Sequence, residues 1–235
     1  LRPYRLTLEI GMSNPSSCIA IIGGSGDLGS AIARRLAKAG ERLIIGSRDA
    51  TKAQATAERL AVEFGADVIG MVNRDAAARA DLVILTVPFA SQETTLREIS
   101  EQVSGKIVVD TTVPLVPPKV MRVQLPPEGC AALRAQKILG DGVRVVSAFH
   151  NVAAFKLASD NEVDCDVLVF GDDKAARESV IRIVTTCGLR GIHAGSLANS
   201  ASAEALTSIL IFINKQYAVD GAGIRITGAL KSLDS

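Results

Sequence analysis

The stretch that most constrains the fold is residues 18–29, Cys-Ile-Ala-Ile-Ile-Gly-Gly-Ser-Gly-Asp-Leu-Gly. A short apolar run ends there in a glycine-rich turn, and apolar residues then recur at helical spacing, at Leu28, Ile32 and Leu36. The turn carries the G-x-G-x-x-G pattern at Gly24, Gly26 and Gly29. In a strand–turn–helix unit this pattern lets the backbone approach a pyrophosphate at the positive end of the helix. This context favours a dinucleotide site over an ordinary strand–helix turn.

Apolar runs and amphipathic segments alternate along the rest of the chain. The apolar runs predict strands at residues 18–22, 42–46, 67–72, 82–87, 106–110, 143–149, 166–170 and 189–193. The amphipathic segments predict helices at residues 27–39, 49–64, 75–80, 91–100, 131–137, 174–187 and 199–217. Asp27 and Asp49 are predicted to cap the first two helices. Such alternation predicts an α/β fold: a single domain with a Rossmann-type, doubly wound, mostly parallel sheet and a C-terminal helical extension.

Three segments are expected along the chain. Residues 1–17 are predicted to be a mobile leader, residues 18–225 the nucleotide-binding domain, and residues 226–235 a tail. Within the domain the alternation is interrupted by five prolines, at Pro114, Pro117, Pro118, Pro126 and Pro127. This proline-rich stretch predicts an excursion over the mouth of the sheet, because strands resume directly after it.

Composition narrows the class of protein. The formal net charge of +1 gives no indication of a nucleic acid or an anionic membrane as partner. The four cysteines lie far apart without a C-x-x-C pair, which favours free thiols in a reducing compartment over disulfides or metal ligands. No apolar run approaches the roughly 20 residues that span a bilayer, and no signal peptide is evident. We therefore expect a cytoplasmic protein without a metal site.

The helix at residues 199–217 is apolar on nearly every side, at Leu206, Ile209, Leu210, Ile211, Phe212 and Ile213. A helix with this pattern is expected to be buried. We expect one side to pack on the sheet and the other on a second subunit, which makes a homodimer through this helix the expected assembly.

The end of the second strand predicts which dinucleotide is bound. An NAD site usually places an acidic residue there, to hold the ribose hydroxyls. This chain has Gly46-Ser47-Arg48 instead, with Lys52 one helical turn further on. A hydroxyl, a guanidinium and an ammonium together suit a phosphate dianion, which predicts the 2′-phosphate of NADP(H). The alternative, a solvated helix start, is disfavoured because cations at a helix N-terminus oppose the macrodipole unless an anion lies between them.

Four motifs together resemble the NADPH-dependent reductases of the deazaflavin coenzyme F420. They are the glycine turn at residues 23–29, the Ser47-Arg48 pair with Lys52, Leu85-Thr-Val-Pro-Phe89, and Val146-Ser-Ala-Phe-His150. The resemblance covers about residues 18–225. It implies a reversible hydride transfer between NADP(H) and the 8-hydroxy-5-deazaflavin F420, on a homodimeric Rossmann protein.

The resemblance also implies which residues bind the two coenzymes. Its motifs place Ser25, Gly26, Asp27 and Leu28 at the pyrophosphate, and Ser47, Arg48 and Lys52 at the 2′-phosphate. The rings are expected to lie against Val87, Pro88, Phe89, Val113, Pro114, His150, Val152, Ala154 and Ala222. No catalytic residue is implied, because the hydride passes directly between the coenzymes. His150 is expected at most to orient a ring carbonyl, and Arg225 to meet either the acidic phosphate-and-glutamate tail of F420 or solvent.

Two other functions stay open from the residues. The first is an NADPH-dependent reductase of another small acceptor, an imine, a flavin or a ferric chelate. It needs a proton donor or a different pocket, and His150 is the obvious candidate donor. The second is a non-catalytic NADP(H)-binding redox sensor, which would keep Ser47, Arg48 and Lys52 but have a blocked second pocket.

Overall fold

The computed structural model describes residues 17–230 and confirms the predicted α/β architecture. Within that range eight strands form one sheet in the order β3-β2-β1-β4-β5-β6-β7-β8, and all neighbours are parallel except β6 and β7. The strands are β1 (Cys18–Ile22), β2 (Arg42–Ser47), β3 (Val68–Val72), β4 (Leu82–Leu85), β5 (Ile107–Asp110), β6 (Arg144–Ser147), β7 (Asp166–Gly171) and β8 (Arg190–His193). The order reverses between β1 and β4, which is where doubly wound sheets bind ligands.

Helices cover both faces of the sheet. They are α1 (Asp27–Lys38), α2 (Ala50–Phe64), α3 (Asn73–Arg79), α4 (Phe89–Ile99), α5 (Ala131–Leu139), α6 (Ala154–Leu157), α7 (Lys174–Thr186) and α8 (Ser200–Tyr217). One apolar layer joins α1, α2, α6 and α7 to the sheet. The other joins α3, α4 and α5 to the opposite face. The expected leader, apart from Ser17, and the last five residues of the expected tail lie outside the described residues.

Several predicted boundaries are corrected. Gly26, not Asp27, occupies the N-cap position of α1, and it makes no side-chain cap bond. Asp49 does cap α2, because its carboxylate accepts hydrogen bonds from the backbone amides of Thr51 and Lys52. The fourth strand ends at Leu85, two residues earlier than predicted. Helix α4 begins at Phe89 with Pro88 as its N-cap, two residues before the predicted start, and proline suits a helix start, where its missing N–H costs nothing. The short helix α6 was not predicted.

Strand β7 runs antiparallel to β6, against the simple βα repeat. The connection between them, residues 148–165, contains only the four-residue helix α6, which is too short to carry the chain back along the sheet. Pairing joins residues 146–147 to residues 170–171 only, so the rest of β7 projects past the end of β6. There the Asn151 side-chain amide donates a hydrogen bond to the Asp166 carbonyl at 2.8 Å. This projection extends one wall at the carboxyl edge of the sheet.

In the single chain the last helix is not buried on every side, and the side expected to pack on a second subunit faces outward. Ile209 and Phe212 of α8 are 46% and 48% exposed. Apart from Leu210, the buried residues of α8 are small or polar, among them Ala203, Glu204 and Ser208. The helix therefore packs through polar contacts, which leaves much of its apolar surface facing outward.

Glu204 fastens α8 to α5. Its carboxylate accepts hydrogen bonds from the backbone amides of Ala131 at 2.7 Å and Ala132 at 3.1 Å. These amides belong to the first turn of α5, where backbone N–H groups have no acceptor within the helix. Glu204 is only 1% exposed, and burial raises the pKa of its carboxyl to about 8. The folded protein therefore releases the Glu204 proton at a higher pH than the unfolded chain does.

Protein stability is expected to fall as the pH rises from 6.5 to 8. In that window folded Glu204 binds more protons than unfolded Glu204, whose pKa is the ordinary 4.5, so the free energy of unfolding decreases by about 1.4 kcal/mol per pH unit at most. Below pH 6.5 two other buried groups act in opposite directions, since burial raises the pKa of Asp110 to about 6 and lowers that of His150 to about 4. Thermal unfolding at several pH values measures this slope.

The variant Glu204→Gln is expected to flatten the pH dependence of Tm between pH 6.5 and 8, because the amide keeps an acceptor oxygen but cannot titrate. Glu101→Gln is the matched control, since the Glu101 side chain is 79% exposed. A slope that persists in Glu204→Gln would contradict the assignment to this carboxyl.

Candidate functional site

A cleft of about 170 Å³ lies at the carboxyl edge of the sheet, at the point where the strand order reverses. The ends of β1, β2 and β4 form its floor, and the starts of α1, α3 and α4 form its sides. It is lined by Gly23, Ser25, Gly26, Ser47, Arg48, Asn73, Thr86, Val87, Pro88, Ser91 and Thr95. The cleft therefore joins the glycine turn and the Ser47-Arg48 pair, which the sequence placed in separate motifs.

The glycine turn is held against the end of β2. The backbone amides of Gly23 and Gly24 both donate to the Gly46 carbonyl, at 2.9 and 3.0 Å. Gly23 has a φ of +81°, which a residue with a Cβ rarely adopts. Gly26 at the N-cap has no side chain to satisfy the first amides of α1, and Gly26 itself lines the cleft. Those amides are suited to an anion at the positive end of the helix.

Ser47 connects the turn to the cationic residues. Its hydroxyl oxygen accepts a hydrogen bond from the Asp49 amide at 3.2 Å and lies 3.3 Å from the Ser25 hydroxyl. Arg48 and Lys52 are exposed. Among residues 17–230 neither cation has a carboxylate within 4.0 Å. The positive end of the α2 dipole disfavours two cations at this position. A bound phosphate dianion would compensate for that cost and supply the anionic partner that both cations lack among these residues.

The structure gathers part of the predicted site in this cleft. Of the residues predicted from the sequence, the cleft is lined by Ser25, Gly26, Ser47, Arg48, Val87 and Pro88. Asp27 and Leu28 open α1 directly beside it, and Lys52 lies in the first turn of α2. The Phe89 ring does not line the cleft; the Arg134 guanidinium lies over it, 4.8 Å from the ring centroid.

Sequence reasoning missed the polar residues Asn73, Thr86, Ser91 and Thr95. Asn73 and Thr86 directly follow β3 and β4, so both lie at the same sheet edge as the glycine turn. A polar residue directly after a predicted strand was the available signal for these two. Ser91 and Thr95 are four residues apart and share one face of α4, but only the tertiary structure shows that this face borders the cleft.

The predicted ring-binding residues beyond the cleft follow β5 and β6. Pro114 is buried and Val113 half-buried, after a turn in which the Thr112 amide donates to the Asp110 carboxylate at 3.1 Å. Phe149 has a φ of +65° and turns the chain sharply at the end of β6. His150 follows and is 5% exposed.

The imidazole of His150 is neutral at physiological pH, because burial lowers its pKa to about 4. Within residues 17–230 neither of its ring nitrogens has a hydrogen-bond partner. The His150 carbonyl accepts a hydrogen bond from the Thr207 hydroxyl of α8 at 2.7 Å. The His150 ring that is predicted to orient a coenzyme carbonyl is therefore neutral and lies beneath α8. Its orienting role stays a prediction.

The segment after α8 returns to the loop that follows β6. The Lys156 ammonium donates to the Gly221 carbonyl at 2.7 Å, and the Ala222 amide donates to the Asn214 side chain at 2.7 Å. Val152 is buried, and Ala154 and Ala222 are half-buried along this contact. Arg225 lies beyond it in an ion pair with Asp164. This guanidinium therefore already has an anionic partner, in contrast to the expected alternatives of a ligand or solvent.

The described residues contain neither a metal-binding cluster nor a membrane-spanning helix. Within residues 17–230 no group of three or more His, Cys, Asp and Glu side chains is arranged to hold a metal ion. No helix in the same range is long and apolar enough to cross a membrane.

The chain is similar in sequence and in fold to members of one family of oxidoreductases. The family model described as "NADP oxidoreductase coenzyme F420-dependent" matches residues 18–114. The F420-dependent NADP reductase of Methanocaldococcus jannaschii is 42% identical over 219 residues, which cover 89% of this chain and 97% of that relative. The F420-dependent NADP reductase of Methanothermobacter thermautotrophicus is 44% identical over 218 residues, which cover 89% and 94%.

A solved structure from Arthrobacter sp. FB24, whose description names an F420-dependent NADP reductase, has a similar fold. It superposes with a TM-score of 0.78 at 26% identity, and the match covers 89% of this chain and 99% of that one.

Proposed function

The chain belongs to the family of coenzyme F420-dependent NADP oxidoreductases, and we propose that it holds its two coenzymes face to face over the carboxyl edge of the sheet. It is an oxidoreductase that transfers a hydride reversibly between NADP(H) and F420. The observation that carries the proposed arrangement is the cleft that joins the glycine turn to Arg48, which has no carboxylate partner within residues 17–230. Residues 18–225 are proposed to act as one catalytic unit.

The adenosine half of NADP(H) is assigned to the cleft. The amides of Asp27 and Leu28 at the start of α1 are proposed to donate to the pyrophosphate, which the N-terminal position of these amides supports. Ser47, Arg48 and Lys52 are proposed to hold the 2′-phosphate. The guanidinium supplies a planar fork of donors and the ammonium a mobile point charge, so the two cations recognise the same dianion in different ways.

The nicotinamide and the deazaflavin are assigned to the surface that continues from Val87 and Pro88. Val113 and Pro114 are proposed as the floor of this surface, and residues 150–154 as its wall, with Ala222 behind them. When bound, the reduced nicotinamide supplies the hydride and the deazaflavin accepts it. The side chains orient the two rings and exclude water, and effective positioning of this kind supplies several kcal/mol of rate acceleration. The neutral His150 is proposed to orient a ring carbonyl.

A visible absorption spectrum tests the reaction. Protein mixed with NADPH and oxidised F420 is expected to bleach the deazaflavin band, and excess NADP⁺ added to reduced F420 is expected to restore it. NADH at the same concentration is the control for the phosphate. Binding of NADPH without any bleaching would overturn the proposed arrangement and favour the redox-sensor alternative.

A homodimer through α8 is also proposed. The exposed apolar residues of α8, Ile209 and Phe212, support it. The proline-rich excursion lies against α8, where the Ser208 hydroxyl donates to the Arg122 carbonyl at 3.4 Å, and it adds Val116, Met121, Val123 and Leu125 to the exposed apolar residues. A surface this apolar is typical of an interface. A cytoplasmic location, with small-molecule coenzymes and neither a nucleic acid nor a membrane as partner, completes the proposal.

The double variant Ile209→Glu with Phe212→Glu is expected to convert the dimer into monomers, because two buried carboxylates at an interface are not compensated. Sedimentation velocity measures the change, from a species of about twice 24.6 kDa to one of 24.6 kDa. Val62→Glu on α2 is the matched control, since Val62 is 88% exposed and distant from α8 in the sequence. A dimer that persists in the double variant would place the interface elsewhere.

A further inference from the structure

A second concave region lies outside the nucleotide cleft, on the outer face of the molecule between α4 and α5. This α4–α5 groove has a volume of about 240 Å³. It is lined by Glu93, Arg97, Glu128, Arg134, Lys137 and Ile138. Three cations and two carboxylates therefore face one depression, which is a composition suited to an anionic ligand.

The Arg134 guanidinium is held in a fixed position. Its side chain is 18% exposed, it lies over the Phe89 ring at 4.8 Å, and it donates to the Glu93 carboxylate at 3.1 Å. Arg97 donates to the same carboxylate at 2.9 Å. One carboxylate is thus shared by two guanidinium groups, each of which has five donors. Arg134 is therefore pre-oriented, with donors that Glu93 does not use.

Lys137 adds a third positive charge. Its ammonium is 3.7 Å from the Glu128 carboxylate, beyond the range of a strong hydrogen bond, and its side chain is 74% exposed. The two carboxylates of the groove balance the charge of only two of its three cations. The groove therefore carries a net formal charge of +1 on its described side chains.

The nucleotide cleft and the α4–α5 groove both border α4. Phe89, Glu93 and Arg97 are spaced four residues apart, so they form one stripe along α4. The stripe starts beside Pro88, which lines the nucleotide cleft, and extends for about 12 Å at the helical rise per residue. An extended chain that leaves the ring-binding surface past Phe89 would meet Arg134 first, and then Arg97 and Lys137.

We propose that the α4–α5 groove binds the anionic tail of the deazaflavin substrate, its phosphodiester and its glutamate carboxylates. This inference rests on the proposed function, because it assigns a tail to the substrate of that reaction. Arg134 meets the first anionic group, and the more exposed Arg97 and Lys137 meet the carboxylates that follow. Arg225 is a weaker choice for this task, since it already pairs with Asp164.

Glu93 sets the strength of this contact. It occupies the donors of Arg97 and Arg134 that a ligand carboxylate would use, so a bound tail competes with it. Because a carboxylate of the tail only replaces the Glu93 carboxylate, binding of the tail stays moderate and release of the product stays fast. Neutralising Glu93 therefore strengthens tail binding, whereas neutralising the cations weakens it.

Steady-state kinetics with two acceptors test the proposal, at saturating NADPH. One acceptor is F420 with several glutamates, and the other is the same deazaflavin chromophore carrying only its ribityl chain. In the double variant Arg97→Gln with Lys137→Gln, KM for the tail-bearing acceptor is expected to rise about tenfold, as for the loss of charged hydrogen bonds, with KM for the tail-less acceptor unchanged. Glu93→Gln is expected to lower KM for the tail-bearing acceptor alone, by about threefold. Arg74→Gln, an exposed cation on α3, is the matched control.

A ratio of the two KM values that is the same in the wild type and in these variants would overturn the tail site. Salt gives a second readout, because added salt is expected to raise KM only for the tail-bearing acceptor of the wild type. The two proposals fail differently. Reduction of both acceptors with equal KM in every variant overturns the groove alone, whereas a wild type that reduces neither acceptor overturns the proposed arrangement of the active site.

Discussion

Replacing Arg48 with alanine is expected to weaken NADPH binding by about 1.5–3 kcal/mol, the usual cost of losing hydrogen bonds to a charged group, or about 10- to 150-fold in Kd. The guanidinium is exposed beside the Ser47 hydroxyl and has no carboxylate partner among the described residues. Its removal therefore takes away ligand contacts without leaving a protein group unpaired. Titration calorimetry with NADPH and NADH measures both affinities.

NADH binding is expected to be barely affected by Arg48→Ala, because NADH has no 2′-phosphate. Adding Lys52→Ala is expected to weaken NADPH binding further and to bring the two coenzymes close to equal affinity. Arg59→Ala is the matched control, since Arg59 is an exposed arginine of the same helix that faces Glu63 at 3.7 Å. Equal losses for NADPH and NADH would refute the assignment of the phosphate to Arg48.

The substitution Gly29→Ala is expected to cause a large combined loss of stability and coenzyme binding. A Cβ at this position would lie 2.5 Å from the Thr86 hydroxyl oxygen and 2.6 Å from the Gly23 carbonyl oxygen. The carbonyl belongs to the glycine turn, so α1 has to move away from the strands. Overpacking of this kind costs about 1–3 kcal/mol, which corresponds to a drop of roughly 2–12 °C in Tm for a chain of this size.

Movement of α1 also displaces the amides proposed to donate to the pyrophosphate, so Gly29→Ala is expected to weaken NADPH and NADH binding equally, by more than tenfold. This equal loss distinguishes Gly29→Ala from Arg48→Ala, which is expected to weaken binding of NADPH but not of NADH. Gly142→Ala is the control, because a Cβ there would meet nothing closer than 3.8 Å. Wild-type Tm and binding in Gly29→Ala would show that α1 does not need this close contact.

Local patterns in the sequence were sufficient for the first half of the fold. The glycine turn, the strand before it and the apolar repeat after it are contiguous, so their spacing predicts β1 and α1 directly. The absence of an acid at the end of β2, where Ser47 and Arg48 stand instead, is equally local, and it predicts a phosphorylated dinucleotide. Helix ends were less well predicted, because Gly26 and Pro88 begin α1 and α4 through backbone geometry rather than through a polar side chain.

The second half of the fold depends on contacts between distant residues. The direction of β7 follows from a connection that stays at one edge of the sheet. The orientation of α8 follows from Glu204, whose carboxylate satisfies amides of α5 more than 70 positions earlier in the chain. In the sequence α8 has the composition of a buried helix, and only these polar contacts explain why its apolar residues face outward.

The sequence by itself therefore determined the fold class, the dinucleotide and its phosphate, since each depends on residues that are neighbours in the chain. Only the tertiary structure decided that Asn73, Ser91 and Thr95 border the cleft, and that Phe89 lies under Arg134 at the head of a charged groove. The physical reason is that a cleft wall is formed where separate elements meet, and that meeting is set by packing across the whole sheet.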